Sequence, residues 1–422
     1  MQIHRQFNRL FIGKILLSGS NFLILLLLSN FFPEALAGEY FFQVTIVATI
    51  AIFLGLGTDN SLFYFISKNI LSVSNLLALA WRLLWIVAAI AGLILCLFYF
   101  DLIPHPAYLI FSGAYIFSLL VQNIFNAIFS ARMQGWKLQA VNLTINLLFC
   151  VYLLADIFFN DSGNMKLLLF VFYGVNFLTT IIVLLLIYGS ADFPCIRLPA
   201  AKTIRQLFKF GSLPYISNSI FFLGANIDLF FIKYFCNPKL TVYIQAVKIF
   251  QVFCSVTYLL YYPFMGKILR ASKEEGVESL LSTGRIVIVG LLLLLLPFYL
   301  LCYFFLDKIF PHATPEMFKM LLILSVAIIA TSTAYLYTSY FVATKKYRQN
   351  IISAVIFLVT VVVLCVLLIP AIGVYGGVIA YSVAIVFSLI FDMVYIVKSV
   401  NVRFSDAFFL KKGDLKIIKS II

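Results

Sequence analysis

Apolar segments of about 20 residues or more recur along the whole chain, and short polar connections separate them. An α-helix rises ~1.5 Å per residue, so about 20 mostly apolar residues cross the hydrocarbon core of a bilayer. Lipid offers no hydrogen-bond partner to the backbone, and such segments therefore form helices. The runs 291–296 and 359–368 do not alternate apolar with polar residues, as the strands of a β-barrel would.

The pattern predicts an all-α polytopic membrane protein with twelve spans. We expect them at about 10–31, 39–66, 76–100, 107–131, 138–158, 166–188, 211–235, 240–266, 283–310, 316–343, 349–369 and 373–397. The triplet 35–37, Ala-Leu-Ala, resembles a signal-peptide cleavage site, but the apolar run before it is long enough to span. We therefore interpret the first apolar segment as a retained helix.

The composition excludes a water-soluble globule. Hydrophobic residues make up 64% of the chain and charged residues 11%, and the mean hydropathy is +1.09. Soluble domains carry roughly 25% charged residues. The seven cysteines are scattered and mostly lie within spans, which is typical neither of a disulfide framework nor of a metal site. We predict no metal, no cofactor and no catalytic residues.

The basic residues predict the orientation. Most of the 30 Lys and Arg residues fall in alternate connections, and both termini belong to this basic set. The opposite connections contain only Lys166, Lys233, Lys239, Lys308 and Lys319. Cytoplasmic loops carry the excess of Lys and Arg, so both ends are predicted to be cytoplasmic. The net charge of +14 is then explained by topology and by anionic lipid, without a nucleic-acid partner.

The longest internal polar connection follows the sixth span and divides the chain into halves. We predict a six-helix bundle at 1–188, a basic cytoplasmic linker with an interfacial helix at 189–210, a second six-helix bundle at 211–397, and a basic cytoplasmic tail at 398–422. We expect the tail to lie on the inner leaflet; the alternative is a docking segment for a partner. FFPEALAGEYFFQ from Phe31 and YFCNPKLTVYIQA from Tyr234 are faintly alike, which suggests a parallel repeat.

Polar residues recur at three- and four-residue intervals in five spans, so each set shares one helix face. The stripes are Lys14, Ser18 and Asn21; Tyr115, Ser118, Gln122 and Asn126; Tyr215, Asn218, Ser219, Asn226 and Asp228; Gln245, Lys248, Gln251, Ser255, Tyr258 and Tyr262; and Ser325, Ser332, Tyr335 and Ser339. Any one stripe is explained by hydrogen bonds between helices. Five stripes over both halves favour a shared aqueous cavity.

Charges at membrane depth are unfavourable and usually face a cavity or each other. Asp228 and Lys248 lie at similar depth on consecutive spans, so we predict that they pair, and we predict a second pair between Lys14 and Asp59. Because a close cation keeps a carboxylate ionised, this argues against either aspartate as a proton carrier. Asp392 lies near the cytoplasmic end of its span and is expected to snorkel towards water.

Four segments resemble one family in the same order along the chain. They are FFPEALAGEY from Phe31, GLGTDNSLFYFIS from Gly55, LPYISNSIFFLGANID from Leu213 and IPAIGVYGGVIAYS from Ile369. Together with the layout of six plus six helices, they resemble the bacterial polysaccharide and O-antigen flippases of the multidrug/oligosaccharidyl-lipid/polysaccharide exporter superfamily, which is MATE-like. The chain departs from that pattern at 37–39, where a bulkier residue usually precedes the glycine.

The resemblance implies a flippase in the bacterial inner membrane that moves an undecaprenyl-pyrophosphate-linked oligosaccharide, such as an O-antigen repeat unit, by alternating access. It also implies membrane lipids, and possible glycan polymerase and chain-length proteins, as partners. The residues suit such a substrate, because Lys248 and Lys14 are candidate ligands for pyrophosphate at low dielectric. The candidate ligands for sugar are Gln245, Gln251, Ser255, Asn218, Gln122, Asn126, Asn21 and Tyr335.

Two other classes remain as alternatives. A multidrug or cation antiporter of the same superfamily would favour carboxylates in its cavity, whereas Asp59 and Asp228 are each predicted to have a cationic neighbour. A membrane glycan polymerase or acyltransferase needs positioned acid and base groups. The short outer connections hold only the isolated candidates Asp101 with His105 and Asp307 with His312.

Overall fold

We analysed a computed structural model of the chain. It describes residues 2–55, 62, 65–66, 72–99, 106–131, 134–159, 164–189, 201–258, 264, 268, 272–310, 315–400, 411 and 414. The chain divides into an N-terminal unit, Met1–Tyr215, and a C-terminal unit, Ile216–Ile422. The described residues are almost entirely helical, as expected for long apolar segments with no polar solvent to satisfy the backbone.

The N-terminal unit is a bundle built around one central helix. Its helices are α1 (Gln2–Phe31), α2 (Glu34–Leu54), α3 (Val73–Tyr99), α4 (Pro106–Ala131), α5 (Trp136–Phe159) and α6 (Met165–Gly189). Helix α4 packs against α2, α3 and α6, and α1 packs against α5. Phe117, Val121 and Phe125 of α4 are fully buried and form the core together with Leu76 and Leu184.

The C-terminal unit is centred on two well-buried helices. Its helices are α7 (Ala201–Gly224, which begins in the N-terminal unit), α8 (Ile227–Phe235), a 3-10 turn (Asn237–Lys239), α9 (Leu240–Tyr258), α10 (Lys273–Ile309), α11 (Pro315–Ala343), α12 (Tyr347–Ile372) and α13 (Val374–Val400). The two well-buried helices are α11 and α13. Helix α11 packs against α9, α10 and α13. Helix α13 also packs along α12 as an antiparallel hairpin.

The α12–α13 hairpin turns tightly at glycines of the motif that begins at Ile369. Gly373 has φ +64°, a left-handed conformation that residues with a Cβ seldom adopt. A Cβ on Gly376 would lie 2.5 Å from the backbone carbonyl carbon of Leu368 and 2.6 Å from the backbone nitrogen of Ile369. The turn therefore requires glycine at both positions for different reasons.

Eleven helices within the described ranges are long and apolar enough to cross a membrane. They correspond to the predicted spans except 240–266, where the described helix is Leu240–Tyr258. Large apolar side chains are exposed on both units; for example, Trp85 is 72% exposed and Leu296 is 75% exposed. Exposed apolar surface on this scale is typical of contact with lipid.

One local prediction differs from the structure. The sequence predicts an interfacial helix at 200–210 that is separate from the seventh span, but α7 runs unbroken from Ala201 through Pro214 to Gly224. A proline removes one backbone hydrogen bond and is tolerated in long membrane helices. The linker helix and the span are therefore one element.

Candidate functional site

A break in the seventh span places Asp228 at a helix start. Helix α7 ends at Gly224 and α8 begins at Ile227, so Asp228 lies in the first turn of α8. The carboxylate accepts a hydrogen bond from the Leu229 N–H at 2.9 Å. A negative charge at a helix N-terminus is stabilised by the exposed N–H groups and the helix dipole. The side-chain amide of Asn226 donates to the Phe222 carbonyl at 2.9 Å, which satisfies one acceptor at the break.

The predicted pair between Asp228 and Lys248 is wrong. Asp228 is 2% exposed, and its second carboxylate oxygen accepts a hydrogen bond from the phenol of Tyr243 on α9. Tyr243 precedes Lys248 by five residues, which is about 140° around a helix of 3.6 residues per turn. Similar depth in the membrane was therefore not enough to predict the pair, because the side chains of Tyr243 and Lys248 leave α9 in different directions.

Lys248 instead belongs to a half-exposed polar face of α9. Its ammonium donates to Gln251 Oε1 at 3.3 Å, one turn further along the helix. Ser255 lies one more turn along and donates to the Val252 carbonyl at 2.8 Å. All three side chains are half-buried, whereas residues 240–247 are fully buried. We call Lys248, Gln251 and Ser255 the α9 polar face.

The remaining predicted residues of the C-terminal unit lie in different environments. Gln245 is 3% exposed, and its Oε1 has no hydrogen-bond partner within the described ranges. Asn218 is exposed on α7, and Tyr335 is half-buried on α11. Helices α9 and α11 are joined by a buried hydrogen bond of 2.8 Å between Thr257 and Ser332. That contact is the interhelical hydrogen bonding that the alternative explanation of the stripes requires.

The N-terminal unit carries a smaller polar face on α1. Lys14 is half-buried and Asn21 is exposed. The Asn146 amide of α5 donates to Ser20 Oγ at 2.8 Å and to Asn21 Oδ1 at 2.9 Å. Asn21 is thus held by a partner inside the unit and still reaches the surface. Asp59, the predicted partner of Lys14, lies outside the described residues.

Helix α4 contributes the other two predicted residues of this unit. Gln122 and Asn126 are half-buried, one turn apart, on a helix whose Phe117 and Phe125 are fully buried. The Gln122 Nε2 has no hydrogen-bond partner within the described part of the chain. The predicted polar residues that the structure describes in the N-terminal unit are thus Lys14, Asn21, Gln122 and Asn126.

Sequence reasoning missed a buried ion pair that anchors the C-terminal tail. Arg285 of α10 donates through Nε and a terminal nitrogen to the two oxygens of Asp414, both at 2.7 Å, and the two residues are 3% and 2% exposed. The Lys411 N–H donates to the same carboxylate at 2.7 Å. These hydrogen bonds, chiefly those from Arg285, hold the pKa of Asp414 below its usual range. The tail therefore packs on the C-terminal unit at this point, although we predicted a surface segment on the leaflet.

A second buried carboxylate was also misplaced by sequence reasoning. Asp392 of α13 is 2% exposed and does not snorkel towards water. Ser353 of α12 donates to Asp392 Oδ2 at 3.0 Å, and the Ser353 and Ser388 hydroxyls lie 2.8 Å apart. The α12–α13 hairpin encloses the carboxylate because α13 faces α12 along its length. Asp392 follows Ser388 by four residues, which places both side chains on one face of α13, but this spacing does not reveal the contact with Ser353 on α12.

Comparison with solved structures identifies the fold. The structure titled "Lipid II flippase MurJ, inward closed conformation" matches with a TM-score of 0.69 at 13% identity, over 95% of this chain and 88% of that chain. An outward-facing multidrug resistance MATE family transporter of the MOP superfamily matches with a TM-score of 0.67 at 16% identity, over 94% and 95%. A MOP superfamily transporter from Pyrococcus furiosus matches with a TM-score of 0.64 at 16% identity, over 93% and 95%. No family model and no curated protein matches the chain.

Likeness at this identity establishes architecture. The chain has the fold shared by MurJ and the MATE transporters, and it is a polytopic all-α membrane protein. The fold class predicted from the sequence is confirmed. Because one fold can host several functions, the function must be argued from the polar faces of the two units.

Proposed function

We propose that the chain is a flippase that moves an undecaprenyl-pyrophosphate-linked oligosaccharide, of the O-antigen repeat type, across the bacterial inner membrane. The substrate is an anionic headgroup with attached sugars on a long lipid. Transport would proceed by alternating access. Membrane lipids, and the glycan polymerase and chain-length proteins that use the product, are the proposed partners.

The observation that carries the proposal is the α9 polar face. Lys248 lies eight residues after Leu240, about 12 Å along the helix, so its ammonium is far from the start of the span. A cation in a poorly solvated setting attracts phosphate strongly, because Coulomb energy rises as the dielectric falls. Gln251 and Ser255 follow on the same face and supply an amide and a hydroxyl of the kind that hydrogen-bonds sugars.

The N-terminal unit supports the same substrate chemistry. Helix α1 presents the half-buried Lys14 and, two turns later, the exposed Asn21. Each unit therefore offers one cation with amide groups nearby. The fold likeness to a lipid II flippase agrees with a lipid-linked substrate, although lipid II itself is named only for that flippase.

A cation antiporter is the second candidate, and Asp228 is the residue that favours it. The Asp228 carboxylate has a phenol, not an ammonium, as its side-chain partner, so the argument against an antiporter from a cationic neighbour does not apply to Asp228. However, Asp228 is 2% exposed, and Tyr243 beside it is fully buried. A bulky cationic drug therefore has no access to this carboxylate in the conformation described, whereas the α9 polar face is half-exposed.

The test replaces Lys248 in a strain that lacks the chromosomal gene. We expect Lys248→Ala to abolish surface glycan and to accumulate the lipid-linked repeat on the inner leaflet, and Lys248→Arg to restore part of the glycan. Lys239→Ala is the matched control: it removes a cation near the start of the same helix, where Lys239 pairs with Glu316 at 2.7 Å on the surface. Surface glycan at wild-type level with Lys248→Ala at equal protein abundance would refute the assignment. Drug resistance on overexpression would favour the antiporter instead.

A further inference from the structure

Asp392 is a buried acid whose partners among the described residues are neutral. Its Oδ2 meets the Ser353 hydroxyl, whereas its Oδ1 is buried and has no hydrogen-bond partner within the described residues. The Ser388 hydroxyl lies 2.8 Å from the Ser353 hydroxyl and 3.2 Å from the Ser353 carbonyl. The four groups form a short chain across the α12–α13 contact. An ionised carboxylate held by a single neutral hydrogen bond is strongly unfavourable at such burial.

The directions of these hydrogen bonds allow two protonation states. With Asp392 ionised, Ser353 must donate to the carboxylate, and Oδ1 keeps a charge that no described residue compensates. With Asp392 protonated on Oδ2, that proton is donated to Ser353, Ser353 donates to Ser388, and Ser388 donates to the Ser353 carbonyl. Every hydroxyl then has an acceptor, and Oδ1 is left as a neutral carbonyl oxygen, for which an absent partner is far less unfavourable.

Two cations of the neighbouring helices, Arg285 and Lys346, make contacts with other residues. Arg285 of α10 is held by Asp414 at 2.7 Å. The ammonium of Lys346, at the start of α12, lies 5.0 Å from the ring centroid of Tyr395 and 5.5 Å from that of Tyr340.

Helix α11 contributes a neutral phenol from Tyr337, which lies within electrostatic range of both Asp392 and Arg285. Because no Lys or Arg within the described ranges pairs with Asp392, the geometry leaves a proton as the ion that neutralises this carboxylate.

We propose that Asp392 is a proton-binding site of the C-terminal unit, filled when α12 and α13 are packed as described here. Loss of the proton to water leaves a charge on Oδ1 that the hairpin does not stabilise. Deprotonation therefore weakens the α12–α13 contact at this end, and the packing of the hairpin responds to pH. The site is separate from the α9 polar face, and the inference does not depend on which substrate is transported.

Infrared difference spectroscopy tests the proposal directly. The purified full-length protein is reconstituted in vesicles of phosphatidylethanolamine and phosphatidylglycerol, and spectra are compared between neutral and alkaline pH. We expect a carbonyl stretch of a protonated carboxyl at neutral pH that is absent in Asp392→Asn and lost at alkaline pH in the wild type. Ser353→Ala should shift the band to higher frequency, because the carboxyl loses its hydrogen-bond partner.

Asp228→Asn is the matched control, because it removes a different buried carboxylate with a hydroxyl partner and should leave the Asp392 band in place. The same carboxyl bands in Asp392→Asn as in the wild type would overturn the proposal. If Asp392→Asn fails to fold, Ser353→Ala decides, since Asp392 is retained in it and an unmoved band would contradict a proton shared with Ser353. The transport assay of Lys248 is independent of all these outcomes.

Discussion

Removing one member of the Arg285–Asp414 pair leaves the other charge buried without its partner. Both side chains are under 5% exposed, and the pair is bidentate with two bonds of 2.7 Å. Breaking a buried ion pair from one side destabilises a protein by about 3–5 kcal/mol, mostly because of the stranded charge. We therefore expect Asp414→Ala and Arg285→Met each to destabilise the C-terminal unit by an amount in this range.

The double variant should be less destabilised than the sum of the single variants, because it strands no charge. The coupling measured by this cycle isolates the pair from other effects of each substitution. The free energy of unfolding is measured on purified protein, together with the rate of tryptic cleavage after Lys411, which should rise once the tail is released. Glu316→Ala is the control, because it breaks a pair of the same 2.7 Å distance whose side chains are 53% and 33% exposed. Exposed pairs contribute little.

The effect should depend on pH with a defined sign. The pKa of Asp414 is lowered in the folded protein, chiefly by the hydrogen bonds from Arg285. Its stabilisation is therefore fully present above the unfolded pKa of about 3.9 and is lost as the pH falls through the lower, folded value. The difference between wild type and Asp414→Ala should shrink in that acidic range. Equal stability of all four proteins at neutral pH would show that the tail is not anchored by this pair.

Two further substitutions test the packing around the broken span. Tyr243→Phe removes the phenol that donates to Asp228 and leaves the hydrogen bond from the Leu229 N–H. We expect a loss of about 1–3 kcal/mol in the free energy of unfolding. An unchanged free energy of unfolding would show that the phenol is dispensable. Gly224→Ala places a Cβ 2.8 Å from the Phe357 ring, and we expect this overpacking to lower the free energy of unfolding by about 1–3 kcal/mol. A combined variant that also carries Phe357→Leu should recover part of this loss. No recovery in the combined variant would contradict a clash with the ring.

The spans could be predicted because hydropathy and length are local properties. Eleven of the predicted segments reappear as helices that can cross a membrane. The break between Gly224 and Ile227 was not visible, because the apolar sequence continues across it and only Ala225 and Asn226 leave the helix. Hydropathy measures how apolar a segment is but not whether its backbone is continuous.

The pairing of charges could not be predicted because it depends on rotation about the helix axis and on contacts distant in sequence. Depth alone favoured Asp228 with Lys248, whereas the facing residue on α9 is Tyr243. Arg285 and Asp414 are 129 positions apart, and the segment between Val400 and Lys411 holds no periodic pattern that would bring them together. Burial of Asp392 likewise follows from the α12–α13 hairpin and not from its distance to the predicted membrane surface.

The length of α10 makes this helix useful for imaging. Its 37 residues extend about 55 Å, whereas the hydrocarbon core is about 30 Å thick. Even at a tilt of about 40°, the helix would cover about 42 Å along the membrane normal. The helix is therefore longer than the hydrocarbon core requires, and its acidic first turn, capped by Ser272 and Glu275, is suited to a position outside that core. In electron micrographs of the protein in nanodiscs, we expect the part of this helix that extends past the hydrocarbon core to help in aligning the particles.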